Sequence, residues 1–209
     1  MAISSAKDNI LKKIKQALSN PVPLPFPLSE GSAAVYPQAT DSLEIIFAGE
    51  FTKLQGKFAF CLHEEDLINQ VKQLIASKKW MNIYAAEENW KNLFGDTTDL
   101  AGCDASITGC EYLVARTGSI VMSAAQQSGR TVSVYAPIHI CVAYTHQLVY
   151  DIEDALQALK EKYGDIPSLI TFASGPSRTA DIEKTLVTGV HGPKEVYLFL
   201  VDSPAALKP

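Results

Sequence analysis

Residues 174–181 follow an apolar, strand-like segment, 169–173, and combine a glycine, a proline, three hydroxyl side chains and an arginine. A helical pattern comes after them. In open α/β sheets, ligands bind outside the carboxyl ends of strands, and the unpaired N–H groups at a helix N-terminus suit an anion. We therefore expect an anion-binding strand–loop–helix at this point. The candidate ligand contacts are Ser174, Gly175, Ser177, Arg178 and Thr179.

The residue types in this loop suit a carboxylate or a phosphate. Gly175 allows the backbone to approach a ligand closely, and the guanidinium of Arg178 forms a planar fork that matches either anion. The alternative is a plain turn before a helix, with Ser177 or Thr179 as the N-cap and Arg178 in solvent. The sequence has neither a Walker loop nor a Gly-x-Gly-x-x-Gly fingerprint, so we recognise no nucleotide-binding loop.

Two histidines stand in patterns that could bring them to a ligand. His191 lies in a turn rich in glycine and proline, 189–193, where it could donate to a ligand or act as an acid or base. A turn histidine bonded to the local backbone is the alternative. His139 lies among strand-like apolar residues. We keep it as a candidate ligand contact, although a histidine in such a setting is more often a hydrogen-bonded core residue.

The four cysteines are not spaced as metal ligands. No Cys-x-x-Cys pair is present, so the spacing suits neither a zinc site nor an iron–sulfur cluster. Three of them stand beside apolar, strand-like residues, which is typical of small buried hydrophobes in a reducing compartment. We therefore expect no metal site and no bound cofactor in this chain. The cysteines are Cys61, Cys103, Cys110 and Cys141.

Composition and charge favour a globular protein of the cytoplasm. The 209 residues are 47% hydrophobic and 20% charged, and the net charge is −5. A chain of this kind can bury a sizeable core, and it is poorly suited to broad binding of DNA or anionic membranes. The first residues lack the basic start and apolar core of a signal peptide, and no apolar run reaches the length of a membrane span. The expected location is the cytoplasm.

The first 40 residues differ in pattern from the rest. Residues 5–18 carry an apolar stripe at helical spacing, and proline at every second position of 21–27 forbids a helix. We expect an N-terminal helix and proline-rich spacer over 1–40, followed by an α/β domain over 41–209. Because an isolated helix of this length is marginal, it should pack either on its own domain or on a partner protein.

The body alternates strand-like and helix-like segments near both of its ends, which predicts a parallel sheet with crossover helices. Between residues 105 and 144, five strand-like segments follow one another through short turns. This spacing predicts antiparallel hairpins or a curled meander within a mixed sheet. Thr117 and Gly118 form the tight turn that joins two of these strands.

Five stretches together resemble the lactate-utilisation (LUD) domain family, and within it the lactate-utilisation protein C type. The resemblance implies a Rossmann-like three-layer α/β sandwich of the kind found in sugar-phosphate isomerases, coenzyme A transferases and formyltetrahydrofolate cyclo-ligase. The stretches are 107–111, 117–121, 137–140, 174–183 and 189–193. Of these, 174–183 and 189–193 are the most specific to the family.

The resemblance also implies a function. It implies a role beside two iron–sulfur proteins in the oxidation of L-lactate to pyruvate, with the iron–sulfur clusters on those partners. An accessory subunit that binds an anionic small molecule is the first hypothesis. The alternative is a stand-alone enzyme of transferase, isomerase or ligase type, or a sensor, acting on a phosphorylated or coenzyme A-linked metabolite.

One position departs from the family pattern. The family usually carries an acid before Thr-Gly in the hairpin turn, where this chain has Arg116. Because arginine reverses the charge, a step that needs that acid would have to use Glu111, or Arg116 would instead hold an anionic ligand. We therefore add Arg116, Thr117 and Gly118 as candidate ligand contacts. The candidates for moving protons are His191 and Glu111.

Overall fold

The computed structural model describes residues 6–19, 39–95, 97, 99–179 and 187–202. The chain divides into two units, Met1–Gln38 and Ala39–Pro209. Helix α1 (Ala6–Leu18) belongs to the first unit. Its apolar side chains Ile10, Leu11 and Ile14 are exposed. The predicted helix start at Ser5 and the proline-rich segment lie outside the described residues.

Helices and strands alternate along the second unit. The helices are α2 (Leu43–Lys53), α3 (Glu64–Lys78), α4 (Glu88–Phe94), α5 (Val132–Tyr135) and α6 (Ile152–Tyr163). The first six strands are β1 (Lys57–Cys61), β2 (Ile83–Ala85), β3 (Ala105–Thr108), β4 (Tyr112–Val114), β5 (Ser119–Ser123) and β6 (Ile138–Tyr144). The others are β7 (Leu148–Val149), β8 (Ile170–Ala173), β9 (Arg178–Thr179), β10 (Val187–Thr188) and β11 (Glu195–Val201). Among the described helices, none combines the length and the apolar character needed to cross a bilayer.

A five-stranded sheet forms the centre of the second unit. Its strand order is β1-β11-β6-β3-β2, and all neighbouring pairs are parallel. Strands β6 and β11 are mostly apolar and are buried over almost their full length. Such strands are typical of parallel sheets that are covered on both faces.

Both faces of the central sheet are packed. On one face, Leu67 and Val71 of α3 and Trp90 and Phe94 of α4 join a core with alternate residues of the strands. On the other face, α2 and a second sheet pack against the remaining strand residues. His63 precedes helix α3 as its N-cap, and its ring nitrogen accepts a hydrogen bond from the backbone N–H of Asp66 at 3.1 Å.

The second sheet has the strand order β7-β4-β5-β8. Strand β5 is antiparallel to both β4 and β8, and β4 is parallel to β7. Helix α6 covers the outer face of this sheet through Ala155 and Leu159. It starts with a capping box, in which the side chains of Asp151 and Asp154 accept backbone N–H groups.

The predicted mixed α/β sandwich with a parallel central sheet is confirmed. The Thr117-Gly118 turn also joins β4 to β5 as expected, through a 3-10 turn at Ala115–Thr117. Three details were predicted wrongly. Strands β3 and β6 belong to the parallel sheet and not to an antiparallel run, and residues 132–135 form a helix. Helix α2 has no counterpart among the predicted elements.

The wrong details share a physical cause. The connection from β3 to its parallel neighbour β6 consists of β4, β5 and α5 instead of a single helix. These strands are adjacent in sequence but belong to two different sheets, so short spacing does not indicate antiparallel pairing here. Helix α2 was missed because its consecutive apolar residues, 45–48, blur the helical period.

Candidate functional site

A cavity of about 250 Å³ lies between the two sheets, at the amino ends of β6 and β11. We call it the inter-sheet cavity. Strands β5 and β8 form one side of it, and the loops that follow β8 and precede β11 form another. Its lining includes His139, Thr171, Ser174, Ser177, His191 and Pro193.

Backbone hydrogen bonds tie the two loops together. The N–H of Ser177 donates to the carbonyl of Pro193 at 2.9 Å, and the N–H of Gly189 donates to the carbonyl of Ser177 at 2.9 Å. The N–H of Lys194 donates to the carbonyl of Pro137 at 2.7 Å, just before β6. Three segments that are distant in sequence therefore meet at the cavity: those around His139, Ser174 and His191.

A chain of hydroxyl groups links the hairpin turn to the cavity. Thr117 Oγ1 hydrogen-bonds Ser119 Oγ at 2.8 Å, and Ser119 Oγ hydrogen-bonds Ser174 Oγ at 2.6 Å. Thr117 thus reaches the cavity through Ser119, which the sequence reasoning missed. The available signal was its place directly after the Thr-Gly turn, at the start of a strand. Ser133 and Thr171, which also line the cavity, were missed as well.

His139 is a buried histidine at the cavity wall. It is 1% exposed, and its Nε2 forms a 2.8 Å hydrogen bond with Thr108 Oγ1. Burial lowers the pKa of His139 to about 4, because the charged imidazolium would lose its hydration. The ring is therefore neutral at physiological pH. His139 is a hydrogen-bonded core residue, and it also lines the cavity, where a ligand contact was predicted.

The end of the loop forms a short strand, and the helix predicted to follow it lies outside the described residues. Arg178 and Thr179 form β9, which pairs antiparallel with β10. Arg178 is exposed, and its Nη2 donates to the carbonyl of Leu54 at 3.3 Å, so it is held by the end of α2 and does not line the cavity. Residues 180 and 181, and the side chain of Thr179, lie outside what the structure describes.

Two candidate glycines serve close backbone packing against α2. Gly118 has φ +57°, and a Cβ placed on it would lie 2.5 Å from the backbone nitrogen of Phe51. Gly175 has φ +92°, and a Cβ there would lie 2.5 Å from the carbonyl oxygen of Leu54. Both positions combine a left-handed conformation with a close approach, so glycine is required for packing even without a ligand.

Arg116 forms an ion pair inside the protein. Its Nε and Nη2 donate to Oδ2 and Oδ1 of Asp151 at 3.0 and 2.6 Å, which is a bidentate ion pair at the start of α6. The hydrogen bond and charge of Arg116 lower the pKa of Asp151 despite some opposing desolvation. Arg116 therefore ties the hairpin turn to α6 and does not line the inter-sheet cavity.

Glu111 belongs to a different part of the molecule. Its side chain is 1% exposed and accepts hydrogen bonds from Ser123 Oγ, from Lys162 Nζ at 2.8 Å and from the hydroxyl of Tyr163 at 2.9 Å. Lys162 and Tyr163 line a second, larger cavity. The structure therefore does not bring the two candidate proton carriers, Glu111 and His191, to one site.

Metal ligands are not clustered in the part of the chain that is described, where no group of three or more His, Cys, Asp or Glu side chains could hold an ion. All four cysteines are buried and free, which confirms their expected role as core residues. Burial raises the pKa of Cys61 to about 11 and that of Cys141 well above its ordinary value. Protonated thiols of this kind are poor metal ligands.

The family model of the LUD domain matches residues 96–201, just over half of the chain. The chain belongs to the LUD domain family. The match confirms the resemblance drawn from the five stretches. Within this LUD chain it runs from the segment before β3 to the end of β11, and it includes all described residues that line the inter-sheet cavity.

Named relatives of this LUD chain include lactate utilization protein C from two bacteria. The protein from Bacillus licheniformis is 33% identical over 134 residues, which are 61% of this chain and 56% of that protein. The one from Deinococcus radiodurans is 35% identical over 104 residues, 49% of each. An uncharacterized protein of Neisseria meningitidis serogroup B is 30% identical over 114 residues, 54% of this chain and 47% of that protein. The chain thus spans about half the length of the curated relatives it matches.

A solved structure supports the fold. The crystal structure of a DUF162 family protein from Deinococcus radiodurans matches with a TM-score of 0.57 and 17% identity. The match covers 79% of this LUD chain and 99% of the other. At this identity the likeness concerns the fold alone.

Proposed function

We propose that this LUD chain takes part in lactate utilization in the cytoplasm as the subunit that binds a small anionic ligand, and that the inter-sheet cavity is its ligand site. The observation that carries the proposal is the convergence at the cavity. Residues from three of the five family-like stretches, 137–140, 174–183 and 189–193, line one space between the sheets. The names of several relatives, lactate utilization protein C, support the metabolic context.

The size and lining of the cavity favour a metabolite of a few carbon atoms. Pockets for drug-sized ligands measure about 300–1,000 Å³, and this one measures about 250 Å³. Hydroxyl and imidazole groups line it, and none of its described lining residues is Asp, Glu, Lys or Arg. Because a carboxylate only accepts hydrogen bonds, a wall of neutral donors suits L-lactate or pyruvate. A phosphorylated or coenzyme A-linked metabolite would need more space and a cation.

Electron transfer would then belong to partner proteins. The four cysteines are buried and spread over the fold, so this chain offers no ligand set for an iron–sulfur cluster among its described residues. In the proposed system the iron–sulfur clusters are on the partners, and this chain supplies or senses the small acid that they oxidise. Free buried thiols suit the reducing cytoplasm.

Replacing His191 with alanine is expected to weaken binding of L-lactate or pyruvate about tenfold, since one hydrogen bond to a charged ligand contributes about 1.5 kcal/mol. His191 is exposed at the mouth of the cavity, so the variant should fold normally. Isothermal titration calorimetry with each acid measures the change. His146→Ala is the matched control and should bind as the wild type does, because His146 is an exposed histidine that does not line the inter-sheet cavity. Wild-type protein that binds neither acid would refute the assignment of the cavity.

The partner proposal predicts what accompanies the protein in its own cells. A tagged chain purified from cells grown on lactate should recover iron–sulfur proteins, and the eluate should reduce a dye when lactate is added. Mass spectrometry and dye reduction measure the two results. Deletion of the gene should abolish lactate oxidation. Unchanged lactate oxidation after deletion would contradict the role in lactate utilization, even if the cavity binds a small acid.

A further inference from the structure

A second cavity of about 650 Å³ lies at the opposite end of the central sheet. We call it the carboxyl-end cleft, because residues at or just after the ends of β2, β3 and β6 line it. In parallel α/β sheets, this end is where ligands bind. The lactate hypothesis does not account for the charged side chains gathered there. They include Glu87, Glu88, Gly109, Tyr144, Lys162 and Tyr163.

The end of α6 places a fixed cation on one wall of the cleft. Lys162 Nζ donates to the buried carboxylate of Glu111 at 2.8 Å, and the hydroxyl of Tyr163 donates to the same carboxylate at 2.9 Å. The side chain of Glu111 is 1% exposed, whereas that of Lys162 is 51% exposed. An ammonium has three donors, so Glu111 positions Lys162 and leaves it able to donate to a ligand in the cleft.

Lys162 keeps its charge at this position. Burial alone would lower the pKa of Lys162, but the hydrogen bond and negative charge of Glu111 outweigh it, and the pKa is raised. A ligand at this wall therefore meets an ammonium group over the whole physiological range of pH. A carboxylate is the complementary group, because it accepts charge-assisted hydrogen bonds.

The start of α4 supplies the opposite charge. Glu87 Oε2 accepts the backbone N–H of Gly109 at 2.8 Å, which fixes this carboxylate between the ends of β2 and β3. Glu88 follows it, is exposed and also lines the cleft. Carboxylates accept hydrogen bonds and attract cations, so this wall suits an ammonium group. The amides of Asn89 and Gln127 also line the cleft and offer both donors and acceptors.

We propose that the carboxyl-end cleft binds a small zwitterion, an amino acid or a short peptide, with its carboxylate at Lys162 and its ammonium at Glu87 and Glu88. The volume of the cleft exceeds what one amino acid fills, and a further cavity of about 370 Å³ shares Asn89, Trp90 and Tyr144 with it. The site is independent of the inter-sheet cavity. Loss of lactate binding through His191→Ala should leave it intact.

The test begins with a thermal-shift screen of the twenty amino acids and the dipeptides Gly-Gly and Ala-Ala against the full chain. The strongest binder is then titrated by calorimetry beside its C-terminal amide and its N-acetyl form. Each modification should weaken binding to the wild type about tenfold, the loss of one charge-assisted contact. Comparing single amino acids with dipeptides separates the two forms of the ligand.

Two variants assign each end of the ligand. Lys162→Met should make the amide bind as well as the free acid, and Glu88→Gln should reduce the penalty of N-acetylation, while Glu87 retains part of it. The controls are Lys160→Met and Glu153→Gln, exposed residues of α6 that do not line the cleft and should behave as the wild type. Lys162→Met is not essential to this decision: if it does not fold because Glu111 loses its cation, the comparison of the free acid with its amide on the wild type still tests the contact to the carboxylate.

Three outcomes would overturn the zwitterion proposal. The first is that no probe shifts the melting temperature or binds in calorimetry. The second is that amidation and N-acetylation leave the affinity unchanged. The third is that the Lys162 and Glu88 variants bind every form as the wild type does. Lactate binding in the inter-sheet cavity is unaffected by any of these results, so the failure of one proposal is distinguishable from the failure of the other.

Discussion

Gly118→Ala is expected to lower the free energy of unfolding by about 2–5 kcal/mol. Gly118 has φ +57°, and the new Cβ would lie 2.5 Å from the nitrogen and 2.9 Å from the Cα of Phe51. A left-handed alanine costs about 1–2 kcal/mol. The overlap with helix backbone adds about 1–3 kcal/mol more, because backbone cannot rotate aside as a side chain can. Urea unfolding at neutral pH measures the difference.

Gly164→Ala isolates the conformational part of this loss. Gly164 follows α6 with φ +77°, and a Cβ placed there would meet nothing within 4 Å. This variant should lose only about 1–2 kcal/mol. If Gly118→Ala and Gly164→Ala lose the same amount, then the hairpin turn does not approach α2 as closely as described. The Gly118 variant should also disturb the inter-sheet cavity, because the turn contacts Ser174 through Ser119.

The end of α2 organises the loop that carries the candidate ligand contacts. Gly118 packs on Phe51, Gly175 packs on the carbonyl of Leu54, and Arg178 donates to the same carbonyl. Helix α2 precedes residue 96, where the family match begins. The cavity residues therefore belong to the matched region, while part of their support comes from a helix outside it. A fragment that starts at residue 96 would lack this support.

The local hydrophobic pattern predicts those helices and strands in which apolar residues recur at a clear period. Helix α3 buries Leu67 and Val71, which stand four residues apart as one helical face requires, and strand β11 is one of the best-buried parts of the central sheet. Pairing between strands was less accessible, because it depends on contacts between distant residues. The mostly apolar run of β6 does contain the signal of a parallel strand that is buried on both faces, whereas β3 carries Ser106 and Thr108 beside its apolar residues. The prediction of antiparallel pairing relied on the short spacing between the segments instead, and it was wrong for these strands.

Several candidate residues lie together in the structure, but the position of the cavity that they line was not predicted. His139, Ser174, Gly175, Ser177 and His191 do line one cavity. That cavity lies at the amino ends of β6 and β11, whereas the rule for open α/β sheets points to the carboxyl ends. Strand β8, which leads into the loop, pairs in the second sheet, so the loop that follows it has no fixed relation to the carboxyl edge of the first. A single sequence does not state to which sheet a strand belongs.

The ion pairs likewise could not be predicted from the sequence. Arg116 and Asp151 are 35 residues apart, and their ion pair forms only because β4 and α6 pack together. The same is true of Glu111 and Lys162, which are 51 residues apart. Each of these pairs turned a predicted ligand contact or proton carrier into a group with a partner inside the protein. A charged residue near a motif is therefore weak grounds for a binding role until its neighbours are known.

His139 should make the stability of the protein depend on pH. Its folded pKa is about 4, and the unfolded value is about 6.5. Between these values the unfolded chain binds a proton that the folded chain excludes, so the free energy of unfolding decreases as the pH falls. The contribution is fully present above the unfolded pKa and is lost as the pH approaches the folded pKa. Between pH 7 and pH 4 the loss amounts to about 3 kcal/mol.

His139→Gln and Thr108→Val separate burial from hydrogen bonding as the origin of this dependence. Urea unfolding from pH 7 to pH 4 should show His139→Gln losing about 3 kcal/mol less than the wild type, because glutamine does not titrate. Thr108→Val removes the partner of Nε2 but keeps the imidazole buried. Since burial is the cause of the low pKa of His139, this variant should be less stable at pH 7 and still show the wild-type decrease towards pH 4. A decrease in His139→Gln that equals the wild-type decrease would mean that the imidazole is solvated in the folded protein. In that case the cavity wall at His139 would be open to water, and the neutral ring proposed as a ligand contact would be charged in mild acid.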